Sequence, residues 1–124
     1  MPHVLRFQTS LRDPDSGRPL GLFRAAGRIE ERDRLPPSAK DWLGEQLEWF
    51  NENLIVPHLD PDLWRAQFWF RDSASDCLNR IWDVVWLLRA FEIAVERLKT
   101  TEPGEIVYRD DIQIAAIRRL KRRR

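Results

Sequence analysis

Sulfur and glycine are scarce in this chain, and each scarcity closes off a class of chemistry. Among 124 residues there is one cysteine, Cys77, and one methionine, Met1. A lone thiol forms no internal disulfide and no Cys-x-x-Cys zinc pair, so the fold has to rest on its apolar core. Five glycines leave little material for a phosphate-cradling loop, and no G-x-x-x-x-G-K-[ST], G-x-G-x-x-G or G-x-S-x-G signature occurs. Nucleotide hydrolysis, dinucleotide binding and nucleophile-elbow hydrolysis are therefore not expected, nor is any cofactor. Long apolar runs are missing as well. The longest, Val84 to Leu88, falls far short of the roughly 20 residues that span a bilayer. Met1 to Arg6 lacks a signal-peptide core, so no membrane partner and a cytoplasmic location are expected.

What the chain does have is tryptophan and an uneven distribution of charge. Lysine and arginine number 21 against 20 aspartates and glutamates, a formal net charge of +1. Six of those cations, Arg118, Arg119, Lys121, Arg122, Arg123 and Arg124, lie in the last seven residues with no acid among them. Residues 1–117 thus hold 15 basic side chains against 20 acidic ones and read as one acidic domain carrying a basic tail, 118–124. Such a tail is the electrostatic footprint of phosphate binding, whereas an acidic body repels phosphate elsewhere. Any nucleic acid would be met by the tail.

Periodicity gives an α+β order, β-α-α-β-α-β-β-β. Leu5, Phe7 and Thr9 alternate with Val4, Arg6 and Gln8 as in a strand, and Asp13 to Gly17 stacks turn formers. Leu22, Ala25, Ala26 and Ile29 share one side of a helix over about 20–31. Pro36 and Pro37 stop the preceding segment, Ser38 is expected to cap the next helix, and Leu43, Leu47, Phe50 and Leu54 line its core stripe. Ala66 to Arg71 reads as a strand with Phe68 and Phe70 opposite Gln67 and Trp69. The clearest helix covers about 73–91, with Ala74, Leu78, Ile81, Val85 and Leu88 as its stripe and Trp82 and Trp86 on one flank. Strands over 93–99, 105–108 and 112–117 should form a meander, with Pro103-Gly104 turning the first into the second. A helix from Asp110 or Asp111 to Leu120 competes with the last strand; the alternation of Ile112-Gln113-Ile114 favours the strand. The expected architecture is a two-layer sandwich: a mixed sheet of about five strands, helices on one face, and a parallel crossover over 66–99.

Few residues invite chemistry. His58, Asp60 and Asp62 are the one place where imidazole and carboxylates cluster in sequence, the minimum for a small metal-dependent hydrolase, although Asp before Pro is ordinary turn chemistry. Cys77 falls on an apolar helix side, where a thiol packs as an inert hydrophobe. The six tryptophans carry the stronger signal. Burying all of them with six phenylalanines and the aliphatic stripes exceeds what so small a domain holds, so one or two indoles should remain outside. Exposed tryptophan and arginine dominate protein interfaces. Trp82, Trp86 and Arg89 are therefore the expected contact surface of a non-enzymatic interaction module, with a homodimer as the simplest assembly. Trp69 beside Arg71 on a sheet face would alternatively stack on single-stranded bases.

Leu5-Arg6-Phe7-Gln8-Thr9-Ser10 at one end and Gly104 to Gln113, Gly-Glu-Ile-Val-Tyr-Arg-Asp-Asp-Ile-Gln, at the other resemble the ends of a group of small uncharacterised bacterial proteins. The resemblance spans most of the chain. It implies a bacterial setting and a strand at 112–117, and transfers no activity.

Overall fold

The computed structural model describes residues 2–31, 35–63 and 65–118. Its elements follow the order β1 (Val4–Arg12), β2 (Pro19–Gly21), α1 (Leu22–Glu31), α2 (Pro37–Asn53), a 3₁₀ turn (Pro61–Leu63), β3 (Gln67–Arg71), α3 (Ser75–Ala90), β4 (Val95–Thr100), β5 (Glu105–Arg109) and β6 (Gln113–Ile117). It is an α+β sandwich in which a six-stranded sheet carries the helices on one side.

Strand β1 is the hub of the sheet. On one edge it pairs with the whole of β4, from Val4 opposite Thr100 to Thr9 opposite Val95. On the other edge two strands share it: β3 pairs at Val4 and Leu5, and β2 at Gln8 and Arg12. Beyond β3 come β6 and then β5. Every pairing is antiparallel. The mixed sheet anticipated from a parallel crossover is thus realised differently. β3 and β4 do run parallel to each other across α3, but β1 lies between them, so no two neighbours are parallel. The anticipated C-terminal meander also divides. β5 and β6 form the hairpin, while β4 crosses to β1. Gly104 does take the positive φ expected of it, 118°.

Alternation decides what each face buries. Leu5, Phe7, Phe70 and Val95 face the helices and join Leu22, Leu43, Phe50, Ile81, Val85 and Leu88 in the main core. Val4, Trp69, Ile114 and Ala116 cluster on the opposite face, with Leu98 and Ile106 beside them. The three helices are tied together by rings. Phe23 of α1 lies 4.7 Å from Phe50 and 5.9 Å from Phe70, and Arg80 of α3 sits 4.2 Å over the Trp49 ring of α2.

Helix ends differ from the sequence expectation. Pro36, not Ser38, is the residue that caps α2, and no side chain bonds its first amides. Prolines at the first positions have no N–H to satisfy, so the cap is less needed there. At the other end of α3, the Ile93 amide donates to the Leu88 carbonyl and the Glu92 amide to that of Arg89, a Schellman closure. Its left-handed residue is Glu92, at φ 64°, where glycine is usual.

Candidate functional site

Among the described residues five large apolar side chains are exposed, Ile55, Val56, Phe68, Trp86 and Phe91, and they fall into two places. Trp86 and Phe91 belong to the C-terminal half of α3. Ile55, Val56 and Phe68 line a cleft at the split in the sheet.

The α3 surface is built by helix spacing. Trp82 and Trp86 stand one turn apart, and Arg89 follows Trp86 by three residues, so all three share a flank. Trp82 is half-buried, its ring meeting Phe7 edge to face at 5.3 Å. Trp86 is 61% exposed. The Arg89 guanidinium lies 5.8 Å from the Trp82 ring and 5.5 Å from the Trp86 ring, within cation–π reach of both. Its Nη2 donates to the Val95 carbonyl at 3.0 Å, which pins it to the start of β4. The result is a fixed indole and guanidinium pair facing outward, bordered by exposed Asp83 and Ala90.

The cleft arises because β2 and β3 occupy the same edge of β1 without meeting. Between their pairings, Arg6 and Phe7 have no strand partner on that side. The opening has a volume of about 880 Å³. Phe7, Phe23, Phe50 and Phe70 form its floor from the helix layer, and Arg6, Gln8 and Gln67 reach it from the other face of the sheet. The Gln113 side chain, buried, closes one wall by donating through Nε2 to the Ile55 carbonyl at 2.5 Å. Leu20, which lines the cleft, is held behind it by Thr9, whose hydroxyl donates to the Leu20 carbonyl at 3.1 Å and accepts from the Leu11 amide at 3.3 Å. Sequence periodicity carried no sign of this cleft, because it depends on which strands share an edge.

The remaining sequence candidates are dispersed or enclosed. Trp69 is 8% exposed, packed in the cluster on the helix-free face, so it offers no ring for base stacking. Its Nε1 is buried without a hydrogen-bond partner. His58, Asp60 and Asp62 are all exposed on the segment around the 3₁₀ turn, and among the described residues no group of three histidine, cysteine or acidic side chains is placed to hold a metal ion. Cys77 is buried, and burial pushes its thiol up to about 11, partly opposed by Arg80; it stays protonated at neutral pH. Arg118 is exposed, while Arg119, Lys121, Arg122, Arg123 and Arg124 lie outside the described residues. No described helix is long and apolar enough to cross a membrane. The chain matches no family model, no curated protein and no solved structure.

Proposed function

We propose that the protein is a non-enzymatic interaction module and that the α3 surface around Trp86 meets a second copy of the chain. The observation that carries this reading is a tryptophan 61% exposed beside an arginine held in place by a backbone hydrogen bond. Ordering that pair has already cost its entropy, and Trp and Arg are the residues that dominate interface energies.

A second copy is favoured by the pattern on either side of Trp86. When two α3 helices cross antiparallel about a twofold axis at Trp86, residues equally far before and after it face each other. Asp83 of one copy then lies opposite Arg89 of the other, an acid against a base. Trp82 lies opposite Ala90, a large ring against a methyl. The sheet edge is a poorer route to the same assembly. Pairing β4 with itself across a twofold keeps each face together, which sets Arg97 against Arg97 or Lys99, like charges directly opposed. The lone buried thiol is compatible with a reducing setting.

Light scattering after size exclusion tests the assembly. The wild-type chain is expected at twice the monomer mass. Trp86→Asp should weaken the dimer by about 2 kcal/mol or more, roughly thirtyfold in Kd, with an unchanged circular dichroism spectrum. Asp83→Arg should weaken it too, and adding Arg89→Asp should restore it. A monomer at high concentration, or a dimer indifferent to these changes, overturns the reading.

A further inference from the structure

The cleft between β2 and β3 is independent of the α3 surface, and its composition describes an occupant. Half-buried Phe23 and exposed Phe68 line it, with Phe7, Phe50 and Phe70 buried beneath, and its mouth carries exposed aliphatic groups, Ile55 and the 89% exposed Val56. Its volume falls within the range of small-molecule sites, about 300–1,000 Å³. Its charge is cationic on balance: four arginines line it against Asp13 and Glu30, and Asp13 is engaged by Arg24 at 3.3 Å.

Arg6 is the decisive group. It projects from the middle of β1, flanked in sequence by buried Leu5 and Phe7, and is itself half-buried. No hydrogen bond or ion pair reaches it from the described residues. Burial holds its guanidinium below the ordinary arginine range, and no carboxylate among the described residues offsets that cost. An arginine remains charged under such conditions, so it sits as a partly desolvated cation beside the cavity. The group missing from this arrangement is an anion joined to an apolar body.

We propose that this cleft binds an amphipathic monocarboxylate, its carboxylate paired with Arg6 and its hydrocarbon or aryl body laid against Phe23, Phe68 and Ile55, apolar lining that is not enclosed in the core. A planar guanidinium suits a carboxylate because two parallel N–H donors match its two oxygens. Phenylalanine rings and aliphatic side chains suit an apolar tail and give no hydrogen bonds to a polar one. The same chemistry belongs to medium-chain fatty acids and to aryl-alkanoic acids, and the cleft leaves both within the test.

Titration calorimetry with decanoate, 4-phenylbutyrate and 1-decanol decides the matter, with the melting temperature by circular dichroism as the second readout. Decanoate or phenylbutyrate should bind and raise the melting temperature, and the better acid should bind about tenfold or more tightly than decanol. Which acid binds better identifies the tail. Arg6→Gln should abolish the preference of acid over alcohol. Gly27→Leu supplies a second arm: Gly27 lines the cleft and a Cβ there meets nothing within 4 Å, so the helix accepts the side chain, which then occupies the space. It should lose binding of every probe with the fold intact. Absence of binding by both acids, equal binding of acid and alcohol, or binding unaffected by both variants overturns the proposal.

Discussion

At the scale of single residues, two side chains set local conformations whose energies are measurable. Glu92 closes α3 in the left-handed region, which costs a side-chain-bearing residue about 1 kcal/mol relative to glycine. Glu92→Gly should therefore raise stability by about 1 kcal/mol, read as a higher urea midpoint with an unchanged slope. Asp110 organises the β5–β6 turn. Its Oδ1 accepts from the Ile112 and Gln113 amides, both at 2.8 Å, and its Oδ2 from the Tyr108 hydroxyl at 2.6 Å. Burial, the largest influence on that carboxyl, raises it, but the Tyr108 hydroxyl and the two amides together outweigh burial and hold it below the usual carboxylate range. The same hydrogen bond raises the Tyr108 phenol. A carboxyl depressed by folding stabilises the native state above its unfolded value, near pH 4, and loses that contribution as the pH falls through the folded value. Asp110→Asn should accordingly lose about 1 kcal/mol at pH 7, and the gap to wild type should close on acidification toward pH 3, followed by urea unfolding across pH.

At the scale of elements, glycine positions make sharper tests than core truncations. A Cβ on Gly104 would overlap the Ile117 carbonyl, and φ there is 118°. Gly104→Ala should cost about 2 kcal/mol or more and loosen the β5–β6 hairpin, visible as faster amide exchange at Glu105 to Tyr108. Gly27 in α1 has the opposite environment, and Gly27→Ala should gain about 0.5–1 kcal/mol through helix propensity. The contrast explains how much of the fold was legible. Helix α3 announced itself because its stripe repeats over four turns, and β1, β3 and β6 did so by alternation. Where β4 would go was not legible: Pro103 and Gly104 encode a reversal of direction and say nothing about which strand lies alongside. The partner was chosen by β1, whose Val4, Leu5 and Phe7 are buried and need neighbours on both edges. β2 was absorbed into the reading of α1 because three residues, Pro19 to Gly21, are too few to show a period.

At the scale of the whole molecule, the tryptophan count carried a real consequence. Among the described residues Trp86 is the indole left largely outside, on the helix flank where spacing placed it, whereas Trp69 turned inward onto the helix-free face. Sequence spacing resolves a helix flank because neighbouring turns stack within one segment. It does not resolve which sheet face is covered by distant strands, and Trp69 shows the difference. The cleft at Arg6 was illegible for the same reason, since its walls come from the middle of β1 and from segments far apart in the chain.

The position of β1 also governs the order in which the molecule can assemble. Val4 waits for Thr100, and Leu5 for both Phe70 and Lys99. Strand β1 thus lacks its partner along the whole of one edge until residues 95–100 have been synthesised. Contacts so distant along the backbone are the slow ones in folding. Nascent chains stalled before residue 95 should remain protease-sensitive throughout, with resistance arriving only after β4 has emerged.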